Sequence, residues 1–391
     1  MAAAAAGCYV MFRCAALIYG VLFLTISATF ASAWNYDGHA IICNLARPLL
    51  TATAAAKVDS LLNSQFPHNF STVCTWGEEF QFLPQYSWSP PLHYINTPDK
   101  ACSYDYTRDC VGMFGQPNMC ASGAIKNYTQ QLTTPADTHN KTEAMLFLAN
   151  ILGDIHQPLR AGFVGDEGGD TIRVYWLNTM NGSSTSLFEV WDSVMIHETE
   201  ERKFNKSTPT FNETLVDILG NMSLAIYSTL STADVAAWSP CPGGAIICPD
   251  QYATESVELA CKWAYADVTP SQILLDDYYL SRLPIVELRL KQAAVRIAAT
   301  FNRLFDPNYV GAPAPPAPTA PPVAAPPVAP VPPVPVSPPA DPTVPPAQPV
   351  PGPPMVPLFS WLRRNTPVYF CFKRLGLDGG LRGLFLLSLL T

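Results

Sequence analysis

Ala31-Ser32-Ala33, followed by Trp34-Asn35-Tyr36-Asp37-Gly38-His39, is the stretch from which the rest of the chain is best read. The three small residues have the pattern of a secretory cleavage site. Cleavage after Ala33 makes Trp34 the first residue of the mature chain. A free α-amine has a pKa near ~8, so it can lose its proton and bind a metal ion such as zinc. His39 follows closely enough for amine and imidazole to grip one ion. Whether the chain supplies the remaining ligands then decides what the molecule can do.

Upstream, Arg13 gives a sparse positive region and Ala15 to Phe30 an apolar one, so residues 1–33 read as a signal peptide. The apolar run falls short of the ~20 residues that an uncleaved membrane anchor needs. Of the eleven cysteines, eight lie between Cys43 and Cys261, and Cys371 stands alone in the tail. An even set in one secreted domain reads as a disulfide framework. Cys110 with Cys120 and Cys241 with Cys248 are plausible local loops, while the pairing of the other four stays open. Glycosylation sequons start at Asn69, Asn127, Asn140, Asn181, Asn205, Asn212 and Asn221. Together these features point to a secreted glycoprotein, extracellular or in a vacuolar lumen. The formal net charge of −8 argues against nonspecific nucleic-acid binding through a basic surface. An acidic chain can still engage phosphate through metal ions.

Residues 34–308 read as one domain, mainly α, disulfide-bonded, with minor β-strands. Helices are expected over Thr53–Leu62, Thr142–Ile155, Leu187–Glu201, Phe211–Ser231, Thr254–Tyr265 and Ile285–Phe305, and a short strand over Thr171–Leu177. From Ala312 to Pro357 the composition collapses to Pro, Ala and Val. Such a stretch builds no core and favours polyproline II, so residues 309–357 read as a stiff linker able to contact a wall or matrix. Residues 358–391 read as a disordered tail; Leu384–Leu390 is too short to span a bilayer, and a lipid-anchor signal fits poorly. No lipid membrane is expected as a partner, and the chain is expected to be monomeric.

The candidate metal ligands are the Trp34 amine, His39, His93, Asp154, His156 and Asp192, with Glu78 and Glu79 in the same pattern. Asp154 stands in an otherwise apolar helix, where a carboxylate is costly unless paired or metal-bound. Asp154 lies one helical turn after Asn150, and Asp192 one turn after Phe188. His68, His139 and His197 lie in polar runs and read as ordinary surface histidines.

Trp34 to His39, Val73-Cys74-Thr75-Trp76, Ser89 to Asp99, Gly123-Ala124-Ile125 with Asn127-Tyr128-Thr129, Gly153-Asp154-Ile155-His156-Gln157-Pro158-Leu159, Gly165 to Gly169, and Val190-Trp191-Asp192 occur in this order. In order and spacing they resemble the secreted zinc-dependent single-strand-specific nucleases of fungi and plants, the plant bifunctional nucleases among them. That family shares its helical fold with the trinuclear-zinc phospholipases C. The resemblance covers residues 34–305. It implies a zinc-dependent phosphoesterase, with single-stranded DNA or RNA or 3′-nucleotides as partners, acting in nucleic-acid catabolism.

Carried over position by position, the family's first zinc is held by Trp34, His39 and a bridging Asp154, all kept. The neighbouring zinc takes an Asp, two His and the same bridge; here these positions read Glu78, His93, Asn150 and Asp154. The third takes two His and an Asp, which read Arg160, Phe188 and Asp192. The family's Trp-Ala-Asp-x-x-Arg has become Trp76-Gly77-Glu78-Glu79-Phe80-Gln81, so the arginine that faces the phosphate is a glutamine. Tyr94 and Asn96 fall at the base-contacting positions, Asn96 in place of an acid. Phenylalanine cannot bind zinc, and a guanidinium never deprotonates to become a ligand. The resemblance therefore implies about one or two zinc ions here. Catalytic roles fall to Asp154, Glu78 and Arg160. Arg160 can lend its charge to the phosphate or pair with Asp192; the pairing is the expectation. Two readings follow: an active but altered phosphoesterase, or a pseudo-nuclease kept as a secreted binding or structural module.

Overall fold

A computed structural model describes residues 34–311, apart from 63–69, 81–82, 113, 135–139, 177–183 and 205–212 and the side chains of 78–79 and 213–216. Beyond residue 311 it describes only two short strands, Tyr369–Cys371 and Ser388–Leu390, which pair antiparallel within a separate C-terminal unit. The leader, the proline-rich linker, the rest of the tail, Gln81, His68, His139 and the sequons at Asn69, Asn181, Asn205 and Asn212 lie outside the described residues, as does the side chain of Glu78.

The helices are α1 (Tyr36–Ala46), α2 (Ala52–Leu62), α3 (Ser71–Phe80), α4 (Ala121–Thr133), α5 (Lys141–Asp154), α6 (Met195–Phe204), α7 (Glu213–Ser228), α8 (Thr232–Trp238), α9 (Pro249–Leu259) and α10 (Asp276–Phe305). The domain is mainly α, as its patterning along the chain implied. α1 starts because the Asn35 side chain accepts the Gly38 N–H and Asp37 places negative charge in the first turn. α5 starts in the same way, with Asn140 accepting the Glu143 N–H. From Ala144 to Asp154 every residue of α5 is buried, as expected of a helix apolar on all sides. α3 and α4 pack on α5, while α3, α7 and α10 pack on α1, so α1 and α5 run through the centre.

A small sheet caps this bundle: β1 (Arg173–Trp176) pairs antiparallel with β2 (Thr185–Ser186) and parallel with β3 (Ile273–Leu274). Four disulfides join Cys43–Cys74, Cys102–Cys261, Cys110–Cys120 and Cys241–Cys248. The two local loops are as expected, and Cys43–Cys74 fastens α1 to α3. Among the described residues no helix is long and apolar enough to cross a membrane.

Three expectations need correction, the first being that the helix expected over Thr254–Tyr265 starts earlier, as α9, and passes into a π-turn at Ala260–Ala264. The helix expected over Leu187–Glu201 is interrupted by a π-turn at Val190–Val194, between Leu187–Glu189 and α6. α10 begins well before Ile285 and contains Pro284. A proline there frees the carbonyl one turn earlier, at Leu280. Leu280 is 60% exposed, so water takes that hydrogen bond at little cost.

Candidate metal centre

Asp154 is the last residue of α5 and is fully buried. Its two oxygens face two imidazoles from different segments: His93 Nδ1 at 2.7 Å from Oδ2, and His39 Nε2 at 3.2 Å from Oδ1. His93 ends a short 3-10 turn, Pro90–His93, and His39 sits inside α1; both are as buried as the acid. Burial alone pushes the Asp154 carboxyl up, but hydrogen bonds and charge from His39 and His93 outweigh it and hold the group below its ordinary value. An ionised carboxylate only accepts, so His93 Nδ1 carries the proton it donates, which leaves Nε2 as the ring's outward nitrogen. That Nε2 is buried and has no hydrogen-bond partner among the described residues.

Gly153 makes the close approach possible: a Cβ there would stand 2.7 Å from His39 Cε1. Trp34 is fully buried, and its Cβ packs on Gly38, where an added Cβ would lie 3.0 Å from it. The chain entering α1 is tied to the π-turn by the Asn35 N–H donating to the Asp192 carbonyl at 3.2 Å. Trp191 fixes that turn, donating its indole N–H to the Tyr278 hydroxyl at 2.8 Å. Trp34, His39, His93 and Asp154 are thus drawn to one end of α5, with Asp192 on the adjoining turn.

Asn150 lies one turn before Asp154, its amide donating to the Cys74 carbonyl at 2.8 Å and lying 3.4 Å from His39 Nε2. It fills space that a side chain at 77 would claim: a Cβ on Gly77 would stand 2.2 Å from Asn150 Oδ1. Gly77→Ala is therefore expected to lower stability by about 1–3 kcal/mol, by driving a buried amide off its acceptor. Thermal melts of the two proteins check this; equal midpoints would mean that the amide swings aside freely.

Arg160 is buried in a 3-10 turn, Pro158–Ala161, and its guanidinium lies over the Phe188 ring at 4.7 Å. This cation–π contact joins two of the three positions at which the resemblance expects histidine. Asp192 is likewise buried. Tyr94 and Asn96 are half-buried, and the segment between them runs beside Arg160, the Ile95 N–H donating to the Arg160 carbonyl at 2.7 Å. Burial raises the Tyr94 phenol, against the nearby charge of Arg160. His156 is turned off this site, its Nδ1 donating to the Leu152 carbonyl and its Nε2 lying 2.8 Å from Arg296 Nη1. Burial, then Arg289 and Arg296, keep it neutral, far below its ordinary value.

One group escaped sequence reasoning. Asp37, His197 and Glu200 each bring a possible ligand atom within 4.8 Å of the others. His197 was expected to be an ordinary surface histidine; it instead lies 3.1 Å from Asp37 Oδ2. The one sequence signal was the His197-x-x-Glu200 spacing, which puts both on one helical face.

Residues 34–306 match the S1/P1 nuclease family. Endonuclease 4 of Arabidopsis thaliana is 41% identical over 300 residues, covering 75% of this chain and 96% of that protein. Nuclease P1 of Penicillium citrinum is 27% identical over 286 residues, 69% of this chain and 97% of that protein. Nuclease S1 of Aspergillus oryzae is 26% identical over 271 residues, 68% of this chain and 90% of that protein.

Proposed function

We propose that this chain, which belongs to the S1/P1 nuclease family, is a secreted phosphoesterase that cleaves single-stranded DNA or RNA or 3′-nucleotides with a reduced zinc set and reduced rate. The observation that carries this reading is the buried Asp154 carboxylate held between His39 and His93. A carboxylate that fixes an imidazole and leaves its other nitrogen free is the usual support of a metal ligand. Zinc suits this donor set of nitrogen and carboxylate oxygen. Trp34, through its amine after cleavage, would hold it with His39 and Asp154; His93 and Glu78 are available for a second ion.

Zinc bound there supplies Lewis-acid charge stabilisation and lowers the pKa of water toward ~7. The chain's own residues do the rest. Asp154 orients both imidazoles. Tyr94 and Asn96 offer a stacking face and an amide for a base. Arg160 contributes fixed positive charge beside them, where the resemblance places a histidine. Without the third ion's other ligands, that charge is a partial substitute, and rate suffers accordingly.

The family match begins at Trp34, which supports cleavage after Ala33. Exposed Asn127, Asn140 and Asn221 support glycosylation. A monomer, with the proline-rich segment touching a wall or matrix, fits the composition.

The replacement of three expected histidines by Asn150, Arg160 and Phe188 favours a second reading, a pseudo-nuclease that binds without turnover. Zinc content and hydrolysis of single-stranded DNA by the secreted chain, its N-terminus sequenced, decide between them. Slow, chelator-sensitive cleavage that Asp154→Asn abolishes together with bound zinc supports the enzyme. Retained zinc without cleavage leaves the binding module standing.

A further inference from the structure

We infer that Trp88 is a second base-stacking subsite, which holds a further base of a single strand whose reacting phosphate lies at the Asp154 centre. This deepens the phosphoesterase reading and rests on it. Trp88 belongs to an aromatic group with Trp76, Tyr86 and Phe147. Trp76 and Phe147 are 4% and 1% exposed, as core rings should be, but Trp88 is 42% exposed.

The orientation of Trp88 is fixed from two sides. Its ring packs on Phe147 with centroids 5.6 Å apart, and its indole N–H donates to the Gln85 carbonyl at 2.7 Å. Phe147 is itself stacked on Tyr128 at 4.9 Å. An indole held this way loses little freedom when a ligand covers it. Its one polar group is already engaged, so it offers a ligand a π-surface rather than a hydrogen bond.

Position identifies the ligand. Residues 86–93 run beside α5 toward its C-terminal end. Tyr86 donates its hydroxyl to Glu143 at 3.2 Å in the first turn of the helix, Trp88 lies on Phe147, and His93 meets Asp154 at the end. The strip that brings His93 to the metal centre thus carries Trp88 as well. Phe147 precedes Asp154 by about two helical turns, or ~10 Å along the axis. Stacked bases rise ~3.4 Å each and drawn-out ones more, so a strand covers that distance in about one to three nucleotides. Tyr94, directly after His93, serves the base beside the reacting phosphate, and Trp88 serves one farther along. A single strand presents ring faces that a duplex hides between its pairs, and stacking accepts every base. With a formal net charge of −8, the chain does not hold a phosphate backbone by overall attraction, so stacking is the suited grip away from the metal ions.

The test measures binding to the secreted full chain loaded with zinc. The probes are a labelled, phosphorothioate-linked thymidine octamer, which resists cleavage, and thymidine 5′-monophosphate as its competitor. Trp88→Ala is expected to weaken octamer binding by about tenfold or more, and to lower the ratio of octamer to mononucleotide affinity by a similar factor. Trp88→Leu, which keeps apolar cover over Phe147, should repeat that loss, and Trp88→Phe should restore most of the affinity. Circular dichroism checks the fold, and the leucine variant carries the test if the alanine variant is unfolded. The loss should persist in high salt, which screens charge but not stacking. Equal octamer affinity in wild type and Trp88→Leu overturns the subsite and leaves the Asp154 centre standing. An equal loss for octamer and mononucleotide also overturns it, since Trp88 would then act only through the metal end. A wild-type chain that binds neither probe overturns the subsite together with the phosphoesterase reading.

Discussion

Changing Asn150, Arg160 and Phe188 together to histidine is expected to raise the rate on single-stranded DNA by ~10²–10³ or more, with a parallel rise in bound zinc. The geometry explains why all three are needed. Asn150 places an amide between the Cys74 carbonyl and His39 Nε2, so the side of the bridge that should share a second ion lacks an imidazole. Arg160 and Phe188 stack on each other, so reverting one leaves the other blocking the third set: a guanidinium beside a new histidine, or a ring beside an old arginine. Single reversions should therefore give little, because the ligands act as a unit. Gly77 must stay a glycine in all these variants, since a Cβ there already meets the side chain at 150. The readouts are zinc per chain and kcat/KM on single-stranded DNA, for wild type, the single variants and the triple. Full zinc without faster cleavage would sink the idea that ligand loss limits the rate, and would move attention to Glu78 and Gln81.

Sequence alone went furthest where one residue was costly by itself. Asp154 could be singled out because a carboxylate inside an apolar helix needs a reason to be there. The partners of that carboxylate were harder. His39, His93 and Asp154 are far apart in the chain, and composition and periodicity do not say which histidine meets which acid. The likeness to a family brought them together, and the structure places both rings against one carboxylate. The π-turn at Val190–Val194 had no sequence signal, since one extra residue in a helical turn barely alters a pattern read at 3.6 residues. His197 was passed over because it stands among Glu198, Thr199, Glu200 and Glu201, a run that reads as a solvated face. Only the fold turns Glu200 inward against Asp37. Pro284 shows the opposite failure: a local rule about helix breaking gave way where the residue that carries the freed carbonyl, Leu280, is exposed.

Glu255→Gln is expected to lower stability by about 3–5 kcal/mol, because it strands two buried cations. Glu255 on α9 accepts from Arg289 Nη1 at 2.7 Å and grips Arg296 with both oxygens, at 2.6 and 2.7 Å. Arg289 is fully buried and Arg296 nearly so, and they stand close enough to repel. Burial, then Arg296, pull Arg289 down to about 10, which still leaves it charged at neutral pH. A glutamine keeps the shape but removes the charge and turns an NH2 toward a guanidinium. The same network sets an acid limb of stability. Burial pushes the Glu255 carboxyl up, but Arg296 and Arg289 outweigh it and hold it below its ordinary value. Its contribution is then complete above the unfolded-state value and is lost as pH falls through the lower, folded one. Burial of neutral His156 gives a second loss, which starts higher, as pH falls through the ordinary histidine range: the unfolded chain takes up a proton there that the folded one refuses. Urea midpoints of wild type and Glu255→Gln across this range separate the two. The variant should be weaker at neutral pH, keep the histidine limb and show a shallower lower one, to which Asp154 still contributes. Equal midpoints at neutral pH would show that water reaches both guanidinium groups and that the acid is dispensable.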